Sequence, residues 1–230
     1  MSAIRTCNTA SVAVAFTAAL TTPWSAAQAA FQDPANAAWG GWDRYTDGTI
    51  FHFWDVFGDD DPASASVTDF TPDFSFGPLG GTDTITETTG AGSVLDSGNI
   101  YSSSTALAYE LDIAGYGEDP TDDRPIRVAL QLRSAGLELD TAGVELDGRS
   151  PDSTTELART PFGGFGDDVS TLFLWTLSEG QDNYLFTFEG LDAFVSLDQV
   201  AVDVAPVPLP IPAALLAAGA AGIGAFRRRT

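Results

Sequence analysis

Thr105-Ala106-Leu107-Ala108-Tyr109-Glu110-Leu111-Asp112-Ile113 and Ile126-Arg127-Val128-Ala129-Leu130-Gln131-Leu132-Arg133-Ser134 decide the fold of this chain. In the first, Leu107, Tyr109, Leu111 and Ile113 share one parity, against Glu110 and Asp112. In the second, Ile126, Val128, Leu130 and Leu132 oppose Arg127, Gln131 and Arg133. A period of two sends successive side chains to opposite faces of an extended strand, so both stretches read as β-strands with one face on a core. Nothing in the chain sustains the helical period of a long amphipathic helix.

The flanking sequence extends the pattern. Leu137-Glu138-Leu139-Asp140 and Val144-Glu145-Leu146-Asp147 surround Thr141-Ala142-Gly143, whose glycine suits the left-handed position of a bulged hairpin. Residues 172–177 and 184–188 read as a second pair joined through 178–183. Val195 and Leu197 share one parity and Val200, Val202 and Val204 the other, which predicts a bulge near Asp198. Residues 49–57 are apolar on both parities, with Ile50, His52, Trp54 and Val56 opposing Phe51, Phe53 and Phe57, as in a strand covered on both faces. Short strands at this spacing, broken by Gly, Asp, Pro and Ser, predict an all-β fold: one antiparallel, jelly-roll-like β-sandwich over residues 30–204.

Charge separates that domain from its ends. All 32 acidic residues of the 230-residue chain lie between Ala30 and Val204, with six arginines among them, so this segment carries −26 while the whole chain carries −22. The chain has no lysine, and a polyacidic surface excludes nucleic acid and anionic membrane surfaces as partners. The single cysteine, Cys7, precedes the domain, which therefore holds no disulfide and no thiol chemistry.

At the N-terminus, Arg5 precedes Ser11-Val12-Ala13-Val14-Ala15-Phe16-Thr17-Ala18-Ala19-Leu20, an apolar run of secretory length, and Ala27-Gln28-Ala29 presents small residues to signal peptidase. Residues 1–29 are therefore expected to be a cleaved signal peptide. At the other end, residues 205–211 form a proline-rich stalk, followed by an uncharged helix over 212–226 and a basic tail over 227–230. That helix covers roughly 22 Å against the roughly 30 Å of a bilayer core, which suits a transient inner-membrane insertion with the arginines cytoplasmic.

The order Val207-Pro208-Leu209-Pro210, short apolar helix, Arg227-Arg228-Arg229 resembles the PEP-CTERM class of bacterial sorting signals, in its VPLPA-CTERM variant. The resemblance implies that Val207, Pro208, Leu209 and Pro210 are the recognition motif of an exosortase-like membrane enzyme and that Arg227, Arg228 and Arg229 are the stop-transfer cluster. It also implies export to the cell surface or extracellular matrix of an exopolysaccharide-making bacterium. Trp39-Gly40-Gly41-Trp42, Trp54-Asp55-Val56-Phe57, Gly98-Asn99-Ile100-Tyr101-Ser102 and Ser196-Leu197-Asp198-Gln199-Val200 are similar to segments of the ectodomains such tails carry.

Chemistry is sparse. His52 is the one imidazole, and no Gly-x-Ser-x-Gly elbow supplies a serine nucleophile. Calcium is the metal that acidic loops suit, and the candidate ligands are Asp59, Asp60 and Asp61, then Asp119, Asp122 and Asp123, and Asp167 with Asp168, none in an EF-hand register. Trp39, Trp42 and Trp54 are the candidates for stacking on sugar rings. The sequence thus predicts a non-enzymatic exported surface or matrix protein, with a carbohydrate- or calcium-binding module as the alternative and a glycan-active enzyme after both.

Overall fold

The computed structural model describes residues 31–207, apart from 62, 63, 65, 70, 79–82 and 118–123. The expected signal peptide, Pro208, Leu209, Pro210, the helix expected over 212–226, Arg227, Arg228, Arg229 and the stretch carrying Asp119, Asp122 and Asp123 lie outside the described residues. Within them every regular element is a strand and every pairing is antiparallel. Among the described residues no helix is long and apolar enough to cross a membrane.

Two sheets form a sandwich. The larger runs β10 (Ser153–Pro161), β11 (Asp167–Leu177), β8 (Ile126–Gly136), β13 (Val195–Pro206), β1 (Ile50–Trp54), β3 (Phe74–Phe76). Beside the start of β13 it also carries the ribbon β5 (Ser93–Val94) and β6 (Ile100–Tyr101). The smaller runs β2 (Thr68–Asp69), β4 (Thr84–Glu87), β7 (Ala108–Ala114), β12 (Asn183–Glu189), β9 (Glu145–Leu146). The two deciding stretches become β7 and β8, central strands of opposite sheets. Tyr109, Leu111 and Ile113 of one join Val128, Leu130 and Leu132 of the other in a single core, all at most 1% exposed. Trp54, Phe173, Trp175, Phe186 and Val202 complete it, so the apolar parity of each strand is what glues the sheets together.

The bulge near Asp198 is present, as the β13–β8 register shifts between Leu197 and Gln199. Two expected pairings are corrected. Residues 137–147 do not form a hairpin: Glu145 and Leu146 pair with Thr187 and Phe186 of β12, and Leu139 bridges Gly190. A tight turn, with Gly143 N–H donating to the Asp140 carbonyl at 3.1 Å, only redirects the chain. Residues 172–177 and 184–188 likewise part company, since β11 lies in the larger sheet and β12 in the smaller. Each aligns better with a strand distant in sequence: β11 pairs with β8 along its whole length, and β12 with β7. The domain also outlasts its expected boundary, because Ala205 and Pro206 pair with Arg127 and Ile126, and Val207 N–H donates to the Pro125 carbonyl at 2.7 Å.

The outer face of the larger sheet is not a plain solvated surface. Residues 31–45 cross it as a strap. The Gln131 side chain, fully buried, accepts from Gln32 N–H at 2.6 Å and donates to the Gln32 carbonyl at 2.9 Å. Arg44 makes a two-pronged ion pair with the enclosed Asp203 at 2.6 and 2.7 Å and lies 3.8 Å above the Phe51 ring. Trp39 and Leu157 pack against the buried cluster of Ala129, Leu172 and Leu174. The strap is why residues 50–54 are covered on both faces.

Candidate ligand-binding cleft

The β10–β11 hairpin ends in Phe162-Gly163-Gly164-Phe165. Gly163 and Gly164 have φ of 56° and 85°, and Phe165 N–H donates to the Phe162 carbonyl at 2.8 Å. Two successive left-handed residues make the turn whose twist matches a strand pair, and glycine adopts it without a Cβ clash. The turn sets Phe162 and Phe165 side by side at the tip, 50% and 78% exposed.

Opposite them stands Phe194, 53% exposed and held at φ 71°. A bulky residue in the left-handed region is strained, and here the backbone is pinned on both sides. Phe194 N–H donates to the Ser102 carbonyl at 2.9 Å, and its carbonyl accepts from Leu137 N–H at 3.3 Å. The fit is close enough that a Cβ on Gly136 would lie 2.4 Å from the Phe194 oxygen. Together with Leu95, Tyr101 and Leu137 these rings rim an open cleft of about 420 Å³ on the outer face of the larger sheet. Its floor carries Ala135, Asn99 and Ser196, the Asn99 amide donating to Ser196 Oγ at 3.2 Å.

Beside this floor lies a polar saddle. Arg133 binds both oxygens of Asp168, Nε to Oδ1 at 2.8 Å and Nη2 to Oδ2 at 2.5 Å, and approaches Asp198 at 3.0 Å. Gln199 accepts from Arg133 at 3.4 Å and donates to Asp55. Burial raises the Asp198 carboxyl above its ordinary range despite the pull of Arg133. The hydrogen bonds to Asp168 raise the Arg133 pKa and hold it charged. Three stretches distant in sequence meet here, contributing Asp55, then Asn99 and Tyr101, then Ser196, Asp198 and Gln199.

A second depression, of about 340 Å³, lies farther along the same face, where the strap meets β1 and β3. Phe31, Tyr45, Phe53 and Phe74 line it, with Arg44, Gln199 and Ala201. Tyr45 sits in edge-on contact with Phe51, Phe74 and Phe76, at centroid distances of 6.1, 5.5 and 5.6 Å.

The residues singled out from sequence fare unevenly. Trp54 is fully enclosed in the core and Trp42 is 9% exposed, so neither offers a face to a ligand. Trp39 is half-buried, its indole N–H donating to Gln32 Oε1 at 2.8 Å, and it lines a further depression beside Leu172 and Leu174. These tryptophans follow the ordinary tendency of large rings to pack. Asp168 is taken up by Arg133, and Asp167 by Arg159 at 2.7 Å, so arginine already fills the place a cation would take. Asp59, Asp60 and Asp61 lie on an exposed loop. Among the described residues no three His, Cys, Asp or Glu side chains converge on a metal-sized site. His52 faces the core, 0% exposed, with neither ring nitrogen hydrogen-bonded.

Sequence reasoning passed over Phe162, Phe165 and Phe194. The first two were legible in the Gly163-Gly164 pair, which marks a two-residue hairpin loop between aromatic neighbours. Phe194 had no local signal. No family model and no curated protein matches the chain. Among solved structures, the CBM35 from Cellvibrio japonicus Abf62 aligns with 55% of this chain and 98% of its own, at 15% identity and a TM-score of 0.31.

Proposed function

We propose that this chain is an exported, non-catalytic surface or matrix protein whose sandwich binds glycan through the cleft rimmed by Phe162, Phe165 and Phe194. The observation that carries the reading is a set of exposed rings, one of them strained, around a floor of amide and hydroxyl groups. Sugars present apolar C–H faces that stack on such rings and hydroxyls that such a floor can bond. Enclosure of the single histidine supports a binding role over catalysis. The signal peptide and the sorting tail, read from sequence, deliver the domain across the inner membrane, where an exosortase-like enzyme processes it and an exopolysaccharide layer supplies the ligand.

A glycan array probed with the secreted protein tests the binding. Enrichment on at least one glycan that Phe165→Ala weakens, with an unchanged melting temperature, is expected, and no enrichment on any glycan would refute it. Mass spectrometry of the mature C-terminus tests the delivery, because retention of Arg229 at the cell surface rules out tail processing.

A further inference from the structure

The two depressions are joined through β13. Ser196 lines the first, and Gln199 and Ala201 line the second. Three strand steps separate Ser196 from Gln199, roughly 10 Å at strand rise and less across the bulge. Between them lies the saddle, where Arg133 and Gln199 are each at least four-fifths buried and already oriented by bonds to Asp168 and Asp55. Among the described residues Tyr45, Asp147 and Phe194 are the non-glycine residues at positive φ, and two of these three are exposed aromatics, one on each depression. Tyr45 sits at φ 67° and Phe194 at φ 71°. Strain of this kind gathers where a surface is shaped for a ligand, and here it occurs at both ends of one line.

Charge narrows the ligand. The saddle sets the carboxylates of Asp55, Asp168 and Asp198 against the single guanidinium of Arg133, on a chain of net charge −22. A polyanionic glycan would meet repulsion at the saddle, and at the second depression it would find Arg44 already paired with Asp203. An extended β-linked glucan is neutral, carries C–H groups on both ring faces for the aromatic ends, and has hydroxyls for the saddle.

Resting on the glycan-binding reading, we propose that the two depressions and the saddle are one continuous track along β13 that holds an extended, uncharged β-linked glycan chain, each aromatic end gripping a different part of it. Each depression alone has the volume of a small-ligand site. A chain that reaches both gains through effective concentration, by a factor of about 10² to 10⁴ over one that fills a single end.

The test is calorimetric titration of the full secreted protein with cellobiose, cellohexaose and a polyuronate of matched length. Cellohexaose is expected to bind at least about 100-fold more tightly than cellobiose. Phe74→Ala at one end or Phe165→Ala at the other should each bring cellohexaose down to the level of cellobiose. Equal affinity of the two glucans leaves glycan binding standing and overturns the track. Tighter binding of the polyuronate overturns the neutral ligand. Binding of none of the three overturns the track, while the glycan array decides the broader reading by itself. A concentration-dependent rise in mass without ligand, lost in Phe74→Ala, would show that a second copy covers this face and would also overturn it. Melting temperatures of both variants within a few degrees of the parent confirm that they fold, and both side chains are exposed enough to expect this.

Discussion

At Phe194 the cost and the use of a single side chain can be separated. Its left-handed backbone costs about 1–2 kcal/mol in a residue with a Cβ, whereas glycine adopts it freely and loses some of that gain to unfolded-state entropy. Phe194→Gly is therefore expected to keep stability within about 1 kcal/mol of the parent while glycan binding is weakened. Urea denaturation beside the binding assay checks this, and a large loss of stability would make Phe194 a packing residue instead. His52 is the opposite case, a polar ring placed where apolar packing is wanted, 6.2 Å from the Trp54 ring centroid. Burial lowers its pKa below 6.5, with Asp83 opposing, so the fold holds it neutral. Its contribution to stability is complete above pH 6.5 and is lost as acid protonates the unfolded chain first. His52→Phe removes two unbonded buried nitrogens and this acid penalty together. The variant should gain on the parent in denaturation midpoint as pH is lowered from about 7 to about 5, and parallel pH curves would show that His52 does not titrate in this way.

At the scale of elements, the strap over residues 31–45 depends on one buried ion pair. Burial pushes the Asp203 carboxyl up to about 6 even with Arg44 bound to it, so taking the charge out of water costs more than the pairing returns. Removing Arg44 alone leaves that carboxylate enclosed and unpaired. Arg44→Met is expected to cost about 3–5 kcal/mol, and Arg44→Met with Asp203→Leu to recover most of it. A denaturant double-mutant cycle measures both, and additive losses would mean that the pair does not seat the strap. The opposite edge of the sheet shows how an exposed strand is kept from pairing with other chains. β10 bulges between Glu156 and Ala158, carries Arg159 within 2.6–2.7 Å of Glu138, Glu156 and Asp167, and ends at Pro161.

Over the whole molecule, acidity controls stability. Burial raises the carboxyls of Asp69, Asp112, Asp147, Asp198 and Asp203, each of which binds its proton more tightly folded than unfolded. A raised carboxyl contributes stability that is present below its unfolded pKa of 3.8 and is lost as pH rises through its folded value, about 6 for Asp203. His52 pulls the other way, and so do the exposed Asp152 and Glu156, whose arginine partners lower their carboxyls but act mainly below about pH 4.5, so the denaturation midpoint is expected to be higher near pH 5 than near pH 7. A net charge of −22 also predicts a melting temperature that rises as salt goes from about 0.01 M to about 0.5 M, since self-repulsion is screened. A salt-independent melting temperature would place the acidic groups too far apart to repel one another.

The residue pattern along the chain was enough to determine that β7, β8, β11, β12 and β13 are strands, which faces of β7 and β8 meet the core, and where β13 bulges, because a half-buried strand records its environment residue by residue. The charge asymmetry between the ends and the domain is likewise a property of linear order, needing no tertiary contact to be read. Partner choice was not of this kind. Residues 137–147 look like a hairpin locally, yet Leu146 pairs with Phe186, because burying both faces of the core rewards distant strands more than adjacent ones. The cleft belongs to the same class: Tyr101, Phe162, Phe165 and Phe194 come from three separate stretches and only the fold brings them together. Gln131 shows the division within one side chain. Its parity pointed it correctly away from the core, and only the strap, arriving from 99 residues earlier in sequence, turned that outer face into an interior one.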